Sequence, residues 1–353
     1  MKFVVNARFL TQPITGVQRF AIEISKILKQ NLKGEILFAA PKGIIHDEIA
    51  QELDVRVVGS TQSYFWEQID LYRFLKKNNS PILINLCNTA PLLYNKNVVT
   101  IHDLAFEVFP QTYSKSFLHI YKYLIPRIAH RARKIITVSE FSKSEIVKYY
   151  GVPEAKIEVI HNAVNSSFHY VEDIRLKEKK YFLTVSSLNY RKNLKLVLNA
   201  FNTLNNKEKN IKLYVVGDID SRSFSKYNLN DFKTNQNIVF LGRLSDEDLM
   251  KYYSNSIAFI YPSLYEGFGI PPLEAQFCNS AAIVSDIECF HEIFQDSVIF
   301  TNILDSQDLV KNMQLFFDDN FKDNFIIKGM KNKNKYNWER SGEKLLRLLE
   351  KMK

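Results

Sequence analysis

The sequence predicts a two-domain α/β protein in which each domain carries a parallel sheet with helices on both sides. Its 353 residues exceed one ordinary core and fit two domains of comparable size. Short β-branched runs alternate with helical patterns along the whole chain, an alternation typical of parallel sheets. Apolar residues make up 46% and charged residues 24%, which excludes a mainly disordered chain. Ligands of such sheets bind beyond the carboxyl ends of the strands.

The predicted strands form two sets, and a charged segment at residues 172–180 separates them. The first set is Phe3–Val5, Val55–Val58, Ile82–Leu86, Val98–Ile101, Ile135–Val138 and Ile157–Ile160. The second is Tyr181–Val185, Leu213–Val216, Ile238–Leu241, Ala258–Tyr261, Ala282–Val284 and Val298–Phe300. We therefore expect an N-terminal domain at 1–168, a linker at 169–180, a C-terminal domain at 181–335 and a C-terminal helix at 336–353.

The positive charge is concentrated in the N-terminal half. The formal net charge is +9, and residues 1–168 hold 21 Lys and Arg against 14 Asp and Glu. Part of the excess lies near Arg127, Arg131 and Lys134, at the end of an amphipathic helical pattern. A contact with an anionic membrane or an acidic acceptor and an ordinary solvated helix face both explain this pattern. No nucleic-acid motif accompanies the charge, so we expect no nucleic-acid partner.

Several classes of protein are not expected from the sequence. No run reaches the length of a membrane-spanning helix, and Asn6 and Arg8 interrupt the N-terminus before a signal-peptide core forms, so we expect a cytoplasmic protein. Cys87, Cys278 and Cys289 lack metal-ligand spacing, and we predict buried thiols without a disulfide or zinc. The G-x-G-x-x-G turn of dinucleotide binders is absent, so we expect no nicotinamide cofactor.

The most informative segment is Tyr265–Glu274, which follows a predicted strand and opens a helix. Gly267 and Gly269 at this turn can take positive φ and let backbone N–H groups approach a ligand, while the helix N-terminus favours an anion. Glu266 on the loop and Glu274 on the helix can each accept hydrogen bonds from sugar or ribose hydroxyls. The alternative is a surface turn whose glutamate merely favours the helix dipole.

Three other segments place polar groups at predicted turns. Ile14–Arg19 puts Gly16 just before the first helix, and the alternative is an ordinary helix start. His102 and Asp103 follow a predicted buried strand, where the alternative is a structural histidine. Arg191 and Lys192 lie at a strand-to-helix turn, where they can neutralise a phosphate or remain surface cations.

These segments together resemble family 4 of the retaining glycosyltransferases, whose signature is Glu-x7-Glu. The resemblance implies a GT-B fold, two Rossmann-like parallel-sheet domains facing across a cleft, with a C-terminal helix that packs back on the N-terminal domain. It implies that Gly16 lies against the donor diphosphate, although Thr15 replaces the usual first glycine of a pair.

The resemblance also implies roles around the donor. Glu274 would bind the ribose, and Glu266, Gly267 and the backbone of Phe268, Gly269 and Ile270 would hold the sugar, with His102 holding it from the N-terminal domain. Arg191 and Lys192 would neutralise the diphosphate, although Asn193 and Ser187 depart from the family pattern there. Among family members the chain is most similar to bacterial enzymes that add mannose or rhamnose to surface polysaccharides such as O-antigen.

The function implied is a metal-independent, retaining transfer of a hexose, with mannose from GDP-mannose as the first candidate and dTDP-rhamnose or a UDP-hexose as others. The partners implied are a nucleotide sugar and a glycan or lipid-linked acceptor, with no cofactor, at the cytoplasmic face of the membrane if the basic helix contacts lipid. Two alternatives are a sugar-nucleotide epimerase or hydrolase on the same fold and a noncatalytic nucleotide-sugar-binding subunit.

Overall fold

A computed structural model of the chain describes residues 1–186, 189–217, 232 and 235–352. The chain divides into two compact units. The first runs from Met1 to Ala163 and includes the segment from Asn337 to the C-terminus, and the second is Val164–Tyr336. Within the described residues, no helix combines the length and the apolar content that crossing a bilayer requires.

The first unit is built on a parallel sheet of seven strands. They are β1 (Phe3–Asn6), β2 (Ile36–Ala40), β3 (Arg56–Val57), β4 (Ile82–Asn85), β5 (Asn97–Thr100), β6 (Lys134–Thr137) and β7 (Ile157–Val159). Their order across the sheet is β3-β2-β1-β4-β5-β6-β7. The strands are short and mostly buried, as expected when helices cover both faces of a parallel sheet.

Helices connect these strands. They are α1 (Gly16–Asn31), α2 (Asp47–Glu52), α3 (Ser63–Phe65), α4 (Tyr72–Lys77), α5 (Ala105–Val108), α6 (Lys115–Arg131) and α7 (Glu140–Tyr150), with a π-helix at Trp66–Leu71 between α3 and α4. Ser139 caps α7 by accepting the Ser142 N–H at 3.0 Å. Short 3-10 turns lie at Arg8–Thr11, Pro110–Thr112 and Glu154–Lys156.

The second unit repeats this plan, with a parallel sheet of six strands among its described residues. They are β8 (Tyr181–Val185), β9 (Lys212–Val216), β10 (Ile238–Gly242), β11 (Phe259–Tyr261), β12 (Ala282–Ser285) and β13 (Ile299–Thr301), in the order β10-β9-β8-β11-β12-β13. The helices are α8 (Ile174–Lys177), α9 (Leu194–Asn205), α10 (Asp246–Ser254), α11 (Ile270–Phe277), α12 (Glu288–Phe294), α13 (Ser306–Leu315) and α14 (Asp319–Lys333). A 3-10 turn lies at Tyr190–Lys192.

Each sheet has one place where the strand order changes direction, between β1 and β4 in the first unit and between β8 and β11 in the second. Asn6 is opposite Asn85 in the first register, and Phe259 is opposite Leu183 in the second. Connections leave the sheet in opposite directions at such a switch point, which opens a crevice at the carboxyl ends of the strands. The carboxyl ends of the strands at each switch point are therefore the first place to look for a ligand site.

The α/β fold with two parallel sheets confirms the predicted fold class. The prediction omitted one strand, β2, because Leu37, Ala39 and Ala40 have little intrinsic preference for strands. This segment becomes a strand through its partners, since Val4 of β1 lies opposite Leu37 and Arg56 of β3 lies opposite Ala39.

Segment 169–180, which we interpreted as a linker, lies within the second unit. There the Val171 N–H donates to Ser254 Oγ at 2.9 Å, and Asn255 Nδ2 donates to the Val171 carbonyl at 3.0 Å. Hydrogen bonds between the Val171 backbone and two side chains at the end of α10 explain why a charged, core-poor segment is nevertheless ordered against the domain.

The last helix, α15 (Trp338–Glu350), belongs to the first unit although it follows the second in sequence. Its Ser341 Oγ donates to the His161 carbonyl at 2.7 Å, and Lys344 Nζ donates to the Val159 carbonyl at 2.8 Å. The Trp338 ring contacts Phe20 of α1 edge-on, with centroids 5.9 Å apart. The first unit therefore depends on both ends of the chain.

Candidate active site

The switch point of the second sheet joins two loops that the sequence singled out. Arg191 and Lys192 occupy the 3-10 turn after β8, and Glu266 lies on the loop after β11. The Arg191 carbonyl accepts the Leu264 N–H at 2.7 Å and the Ser263 hydroxyl at 3.1 Å. These bonds hold the two loops together.

Glu266 is the centre of this cluster, and it is 8% exposed. Its Oε1 accepts from Lys192 Nζ at 2.6 Å and from Ser263 Oγ at 2.6 Å. The Tyr261 hydroxyl donates to the same oxygen at 3.0 Å, and Arg191 Nη1 donates to Oε2 at 3.3 Å. A single carboxylate therefore receives hydrogen bonds from four side chains.

The environment keeps Glu266 ionised. Burial alone would raise the pKa of its carboxyl, but the charges of Lys192 and Arg191 and the hydrogen bonds from Lys192 and Ser263 lower it to about 2. Two cations thus face one carboxylate, so the cluster carries an excess of positive charge. Such a cluster can attract a further anion, and diphosphate oxygens are suitable acceptors for both cations.

The turn into α11 differs in one respect from the prediction. Gly269 caps α11 with φ at +107°, as its role requires, but Gly267 is not among the glycines with positive φ. A Cβ on Gly269 would lie 2.7 Å from Phe290 Cε1, so this glycine is required by φ and by space. The Phe268 side chain is buried against Tyr336, which leaves its backbone as the part suited to a ligand.

Glu274, the second glutamate of the signature, is half-buried on α11. The hydroxyl of fully buried Tyr253 donates to its Oε2 at 3.3 Å. Burial raises the pKa of Tyr253 well above its usual value, so this hydroxyl stays a donor at neutral pH. The bond orients a carboxylate that keeps further acceptor capacity.

Gly16 and His102 lie in the first unit, at the carboxyl edge of its sheet. Gly16 is the exposed first residue of α1, and the Thr15 N–H before it donates to Gln18 Oε1 at 3.2 Å. Thr15 is thus a helix cap in extended conformation, which explains why no second glycine is needed there. The His102 ring meets Phe20 of α1 edge-on at 5.0 Å.

His102 is held in one tautomer. Its ring is 6% exposed, and Nε2 lies 2.9 Å from the Leu86 carbonyl, which can only accept, so Nε2 carries the proton. Burial lowers the pKa of His102, although the Leu86 carbonyl and Asp103 oppose this shift. Neutral His102 therefore offers Nδ1 as an acceptor for a hydroxyl.

The other residues that the sequence singled out are the segment before Arg191 and the three cysteines. Ser187 and Leu188, between β8 and the Arg191 turn, are outside the described residues. Cys278 and Cys289 are buried, whereas Cys87 is half-buried rather than buried. Among the described residues, no group of three or more His, Cys, Asp and Glu side chains is arranged for a metal ion.

Sequence patterns missed Tyr261, Ser263 and Tyr253, which orient the two glutamates. Tyr261 and Ser263 end or follow β11, and polar side chains at the carboxyl end of a buried parallel strand would have been a usable signal. Tyr253 gives no such signal, since it occupies an ordinary apolar position of α10.

Comparison with known families identifies the class of protein that this fold and site define. Residues 14–168 match the family model described as Glycosyltransferase Family 4, and residues 170–333 match the one described as Glycosyl transferases group 1. The chain belongs to glycosyltransferase family 4, with the GT-B fold, and it is an enzyme that transfers a sugar. The resemblance carried by the sequence motifs is confirmed.

Individual relatives extend this result. O-antigen chain mannosyltransferase RfbU of Salmonella typhimurium strain LT2 is 32% identical over 251 residues, covering 68% of this chain and 67% of the relative. O-antigen chain mannosyltransferase B of Escherichia coli is 24% identical over 368 residues, covering 96% and 97%. The crystal structure of Anabaena Alr3699/HepE in complex with UDP and glucose has a TM-score of 0.77 at 14% identity, covers 99% of each chain and shows the fold.

Proposed function

We propose that this protein is a retaining glycosyltransferase that moves mannose from GDP-mannose to a hydroxyl of a surface-glycan or lipid-linked acceptor. The observation that carries the proposal is the cluster of Arg191, Lys192 and Glu266 at the second switch point, with two cations around one ionised carboxylate. The cations suit a diphosphate, and the carboxylate suits the hydroxyls of the sugar attached to it.

The proposal gives each predicted residue a role toward the donor. In this proposal Glu274 accepts from the ribose hydroxyls, and Glu266 with the backbone of residues 267–270 accepts from and donates to the sugar. His102 accepts a sugar hydroxyl through Nδ1, and the Gly16 backbone approaches the diphosphate. Arg191 and Lys192 take up the negative charge that grows on the diphosphate oxygen as the bond to the sugar breaks.

The chemical step we propose is front-face displacement without a metal ion. The bond from the anomeric carbon to the phosphate oxygen breaks, and the acceptor oxygen forms its bond on the same face of the sugar. The acceptor proton passes to the departing diphosphate oxygen, so the nucleoside diphosphate leaves and no covalent intermediate with the protein forms. The buried, cation-rich environment of Lys192 supports this assignment, because preformed charges stabilise such a transition state without reorganisation.

Mannose is supported by the names of two relatives, and the guanosine part of the donor is left to the experiment. RfbU and mannosyltransferase B act in O-antigen chains as mannosyltransferases. The Anabaena neighbour contains UDP and glucose, so uridine donors belong in the test. The experiment is thermal unfolding of the purified protein with GDP, UDP, dTDP and their sugar conjugates, with chelator present.

A ligand at a hundred times its Kd stabilises the native state by about 2.7 kcal/mol. A rise in the unfolding temperature that is selective for GDP and GDP-mannose supports the proposal. A rise confined to UDP or dTDP compounds would instead assign a uridine or thymidine donor. Absence of any shift would overturn the proposed donors, whereas a shift without any transfer product would favour the noncatalytic alternative. Turnover of donor without an acceptor that exceeds transfer would favour a hydrolase or epimerase.

The assignment of Glu274 to the ribose has its own test. Glu274→Ala removes a charged acceptor, and we expect nucleotide affinity to fall about tenfold, since such a bond contributes on the order of 1.5 kcal/mol. Exposed Glu288, at the start of α12, offers the control Glu288→Ala, which should bind nucleotide like the unaltered protein. Equal affinity of both variants would remove the ribose role.

We also propose that α6 contacts the anionic inner face of the cytoplasmic membrane, where a lipid-linked acceptor would be presented. No acidic residue occurs between Glu107 and Glu140, while α6 exposes Lys122 and Arg127, and Arg127 stacks over exposed Tyr123 at 3.7 Å. Binding to vesicles that contain phosphatidylglycerol, absent with pure phosphatidylcholine and lost with Lys122→Glu/Arg127→Glu, would support this contact. Equal binding to both vesicles would refute it.

A further inference from the structure

The first switch point holds a second buried charge cluster, made of Asn6, Arg8, Glu67, Asn85 and Thr89. Asn6 ends β1 and Asn85 ends β4, and Asn6 Nδ2 donates to Asn85 Oδ1 at 3.1 Å where the strand order changes direction. We call these five residues the first-unit cluster. It lies at the same place in its sheet as Arg191, Lys192 and Glu266 in theirs.

Glu67 is the anion of the first-unit cluster, and it is 1% exposed. Its Oε1 accepts from Asn6 Nδ2 at 2.9 Å and from Arg8 Nε at 2.9 Å. Its Oε2 accepts from Thr89 Oγ1 at 2.8 Å. Glu67 lies in the π-helix Trp66–Leu71, and such insertions occur frequently at functional sites. Both carboxylate oxygens are engaged within the protein and Glu67 is more deeply buried than Glu266, which is 8% exposed, so Glu67 orients other groups rather than a ligand.

Arg8 is the group that Glu67 orients. Its Nη2 donates to Thr89 Oγ1 at 3.0 Å, and its guanidinium carbon lies 4.9 Å above the Tyr64 ring. Nε and Nη2 are therefore committed, whereas the described part of the chain supplies no hydrogen-bond partner to Nη1. The residue keeps 7% exposure, and its planar group is held by Glu67, Thr89 and Tyr64. A donor held this firmly is prepared for a partner from outside.

Burying an ion pair at this depth is costly for folding. Desolvation of the two charges offsets much of their attraction, and apolar residues of similar volume would often be as stable. Burial would lower the pKa of Arg8, but Glu67 raises it, so the guanidinium stays charged. Binding of a ligand by Arg8 Nη1 would explain why the protein keeps a buried ion pair that costs free energy of folding.

Aromatic rings border Arg8. The Tyr64 ring lies under its guanidinium, and the Tyr121 side chain of α6 lies near Tyr64. Phe65 next to Tyr64 is 71% exposed. Aromatic faces with a few fixed polar groups are the usual lining of a site for a small organic ligand, and the C–H face of a pyranose packs on such rings.

The balance of charge selects the ligand class. The second unit has two cations to one carboxylate and suits an anion, whereas the first-unit cluster has one of each, Arg8 and Glu67. A neutral pair gives little attraction for phosphate but a well-oriented donor for a hydroxyl oxygen. An uncharged sugar therefore fits better than a nucleotide.

We propose that the first-unit cluster is a binding site for an uncharged sugar ring of the acceptor, with Arg8 Nη1 donating to a sugar hydroxyl and with Glu67 and Thr89 as positioning residues. The assignment of this sugar to the acceptor rests on the proposed function. Sugar binding to the first unit does not itself require transfer. Tyr64 supplies the ring against which the sugar packs.

The test uses the full chain, the donor that stabilises it, and octyl α-D-mannopyranoside as the acceptor probe. Arg8→Lys keeps the charge but loses the planar fork, and Glu67→Gln keeps the shape but loses the charge. Matched controls in the same unit are Arg56→Lys, at an arginine that stacks on Phe74 at 5.6 Å, and Glu52→Gln, at a surface partner of Lys26.

We expect Arg8→Lys and Glu67→Gln to raise the KM for the probe about tenfold or more, the effect of losing one good hydrogen bond. The KM for donor, the rate of donor hydrolysis without acceptor and nucleotide-induced stabilisation should stay within about twofold, because those contacts lie elsewhere. The two control variants should match the unaltered protein in every measurement. A merely structural role of the pair would instead change donor and acceptor parameters together.

If Arg8→Lys does not fold, Thr89→Val tests the same role, because it leaves the ion pair in place and removes the hydroxyl that accepts from Arg8 and donates to Glu67. Saturation-transfer NMR with the probe alone separates this inference from the proposed function. Probe binding that Arg8→Lys or Thr89→Val abolishes supports the site even if no nucleotide sugar is used. Unchanged probe KM and unchanged NMR signals in the variants overturn it, as does failure of the unaltered protein to bind the octyl mannoside, glucoside and galactoside.

Discussion

Glu266 is the counterion of Lys192 and Arg191 in the structure, and all three side chains are largely shielded from water. Removing Glu266 leaves two shielded cations without their counterion, which is more damaging than losing an exposed ion pair. Binding a diphosphate would bring a second anion to the same two cations. Effects on activity and on stability must therefore be measured separately for these residues.

Lys192→Ala should lower kcat about 10²- to 10³-fold, because it removes a preformed positive charge from the leaving diphosphate. The control is Lys195→Ala, three positions further on the exposed side of α9, which should retain full activity. Initial rates at saturating donor and acceptor measure the effect, with a thermal scan to verify folding. A folded Lys192→Ala enzyme with undiminished kcat would contradict the role of this lysine.

Glu266 also predicts a pH dependence of stability. Its pKa in the folded protein is lowered to about 2 from the usual 4.5, so its stabilisation is complete above about pH 4.5 and is lost as the pH falls toward 2. The full contribution is on the order of 3 kcal/mol. Glu266→Gln should therefore unfold at a lower temperature than the unaltered protein at pH 7, with a gap that narrows below pH 4.5. Calorimetry from about pH 7 to about pH 3 measures the gap.

Exposed Glu288 is the control for this comparison, and Glu288→Gln should show no pH-dependent gap. A gap for Glu266→Gln that stays constant down to about pH 3 would mean that the carboxylate is not held by the two cations. His102 also makes the folded protein less stable as the pH falls, but at a higher pH than Glu266. Burial lowers the pKa of His102, so its contribution to stability is lost as the pH falls below 6.5.

The sequence singled out residues that the structure brings together at the second switch point, but it did not predict how they contact one another. Arg191, Lys192 and Glu266 were recognised on two separate motifs, and their ion pairs join positions 74 and 75 residues apart. The pair of Arg8 and Glu67, 59 residues apart, was missed because apolar periodicity carries no information on buried polar partners. Such pairs become visible only once the strand order is known.

At the scale of elements, the turn from β11 into α11 combines a backbone requirement with a packing requirement. Gly269 has φ at +107°, and Phe290 and Phe294 of α12 leave no room for a side chain. Ile270 then starts α11, and Pro271 and Pro272 follow in its first turn, where a residue needs no partner for its N–H. The position of Glu274 depends on this turn, since α11 carries it.

Gly269→Ala should destabilise the second unit by about 2–4 kcal/mol, the sum of a left-handed backbone penalty and an overlap in a packed core. Gly242→Ala is the matched control, because Gly242 has φ at +71° but no atom of the described residues lies within 4 Å of the place that a Cβ would occupy. It should cost only the backbone term, about 1–2 kcal/mol. Calorimetric unfolding measures both variants, and equal losses would show that Phe290 yields without cost.

At the scale of the whole molecule, alternating strand and helix patterns sufficed to predict two parallel α/β units. They did not predict β2, which depends on pairing with β1, or the order within 169–180, which depends on hydrogen bonds to the end of α10. They did indicate a C-terminal helix around Trp338, and the structure shows which unit it completes. Both tryptophans, Trp66 and Trp338, lie in the first unit, so tryptophan fluorescence reports that unit selectively.

This optical property allows a direct test of how α15 completes the first unit. A Cβ on Gly342 would lie 2.5 Å from Ile27 Cγ2 of α1, so Gly342→Ala should lower the free energy of unfolding of this unit by about 1–2 kcal/mol despite the better helix preference of alanine. Adding Ile27→Ala makes room, so the double variant should be at least about 1 kcal/mol more stable than the sum of the single losses predicts.

Urea unfolding followed by tryptophan fluorescence measures this cycle, and exposed Glu343 provides the control. Glu343→Ala combined with Ile27→Ala should be additive within about 0.5 kcal/mol, because the Glu343 side chain extends into solvent. Additivity for Gly342→Ala and Ile27→Ala as well would mean that α15 does not pack on α1 at this glycine. A coupling confined to the Gly342 pair would establish that the last helix of the chain is part of the core of its first unit.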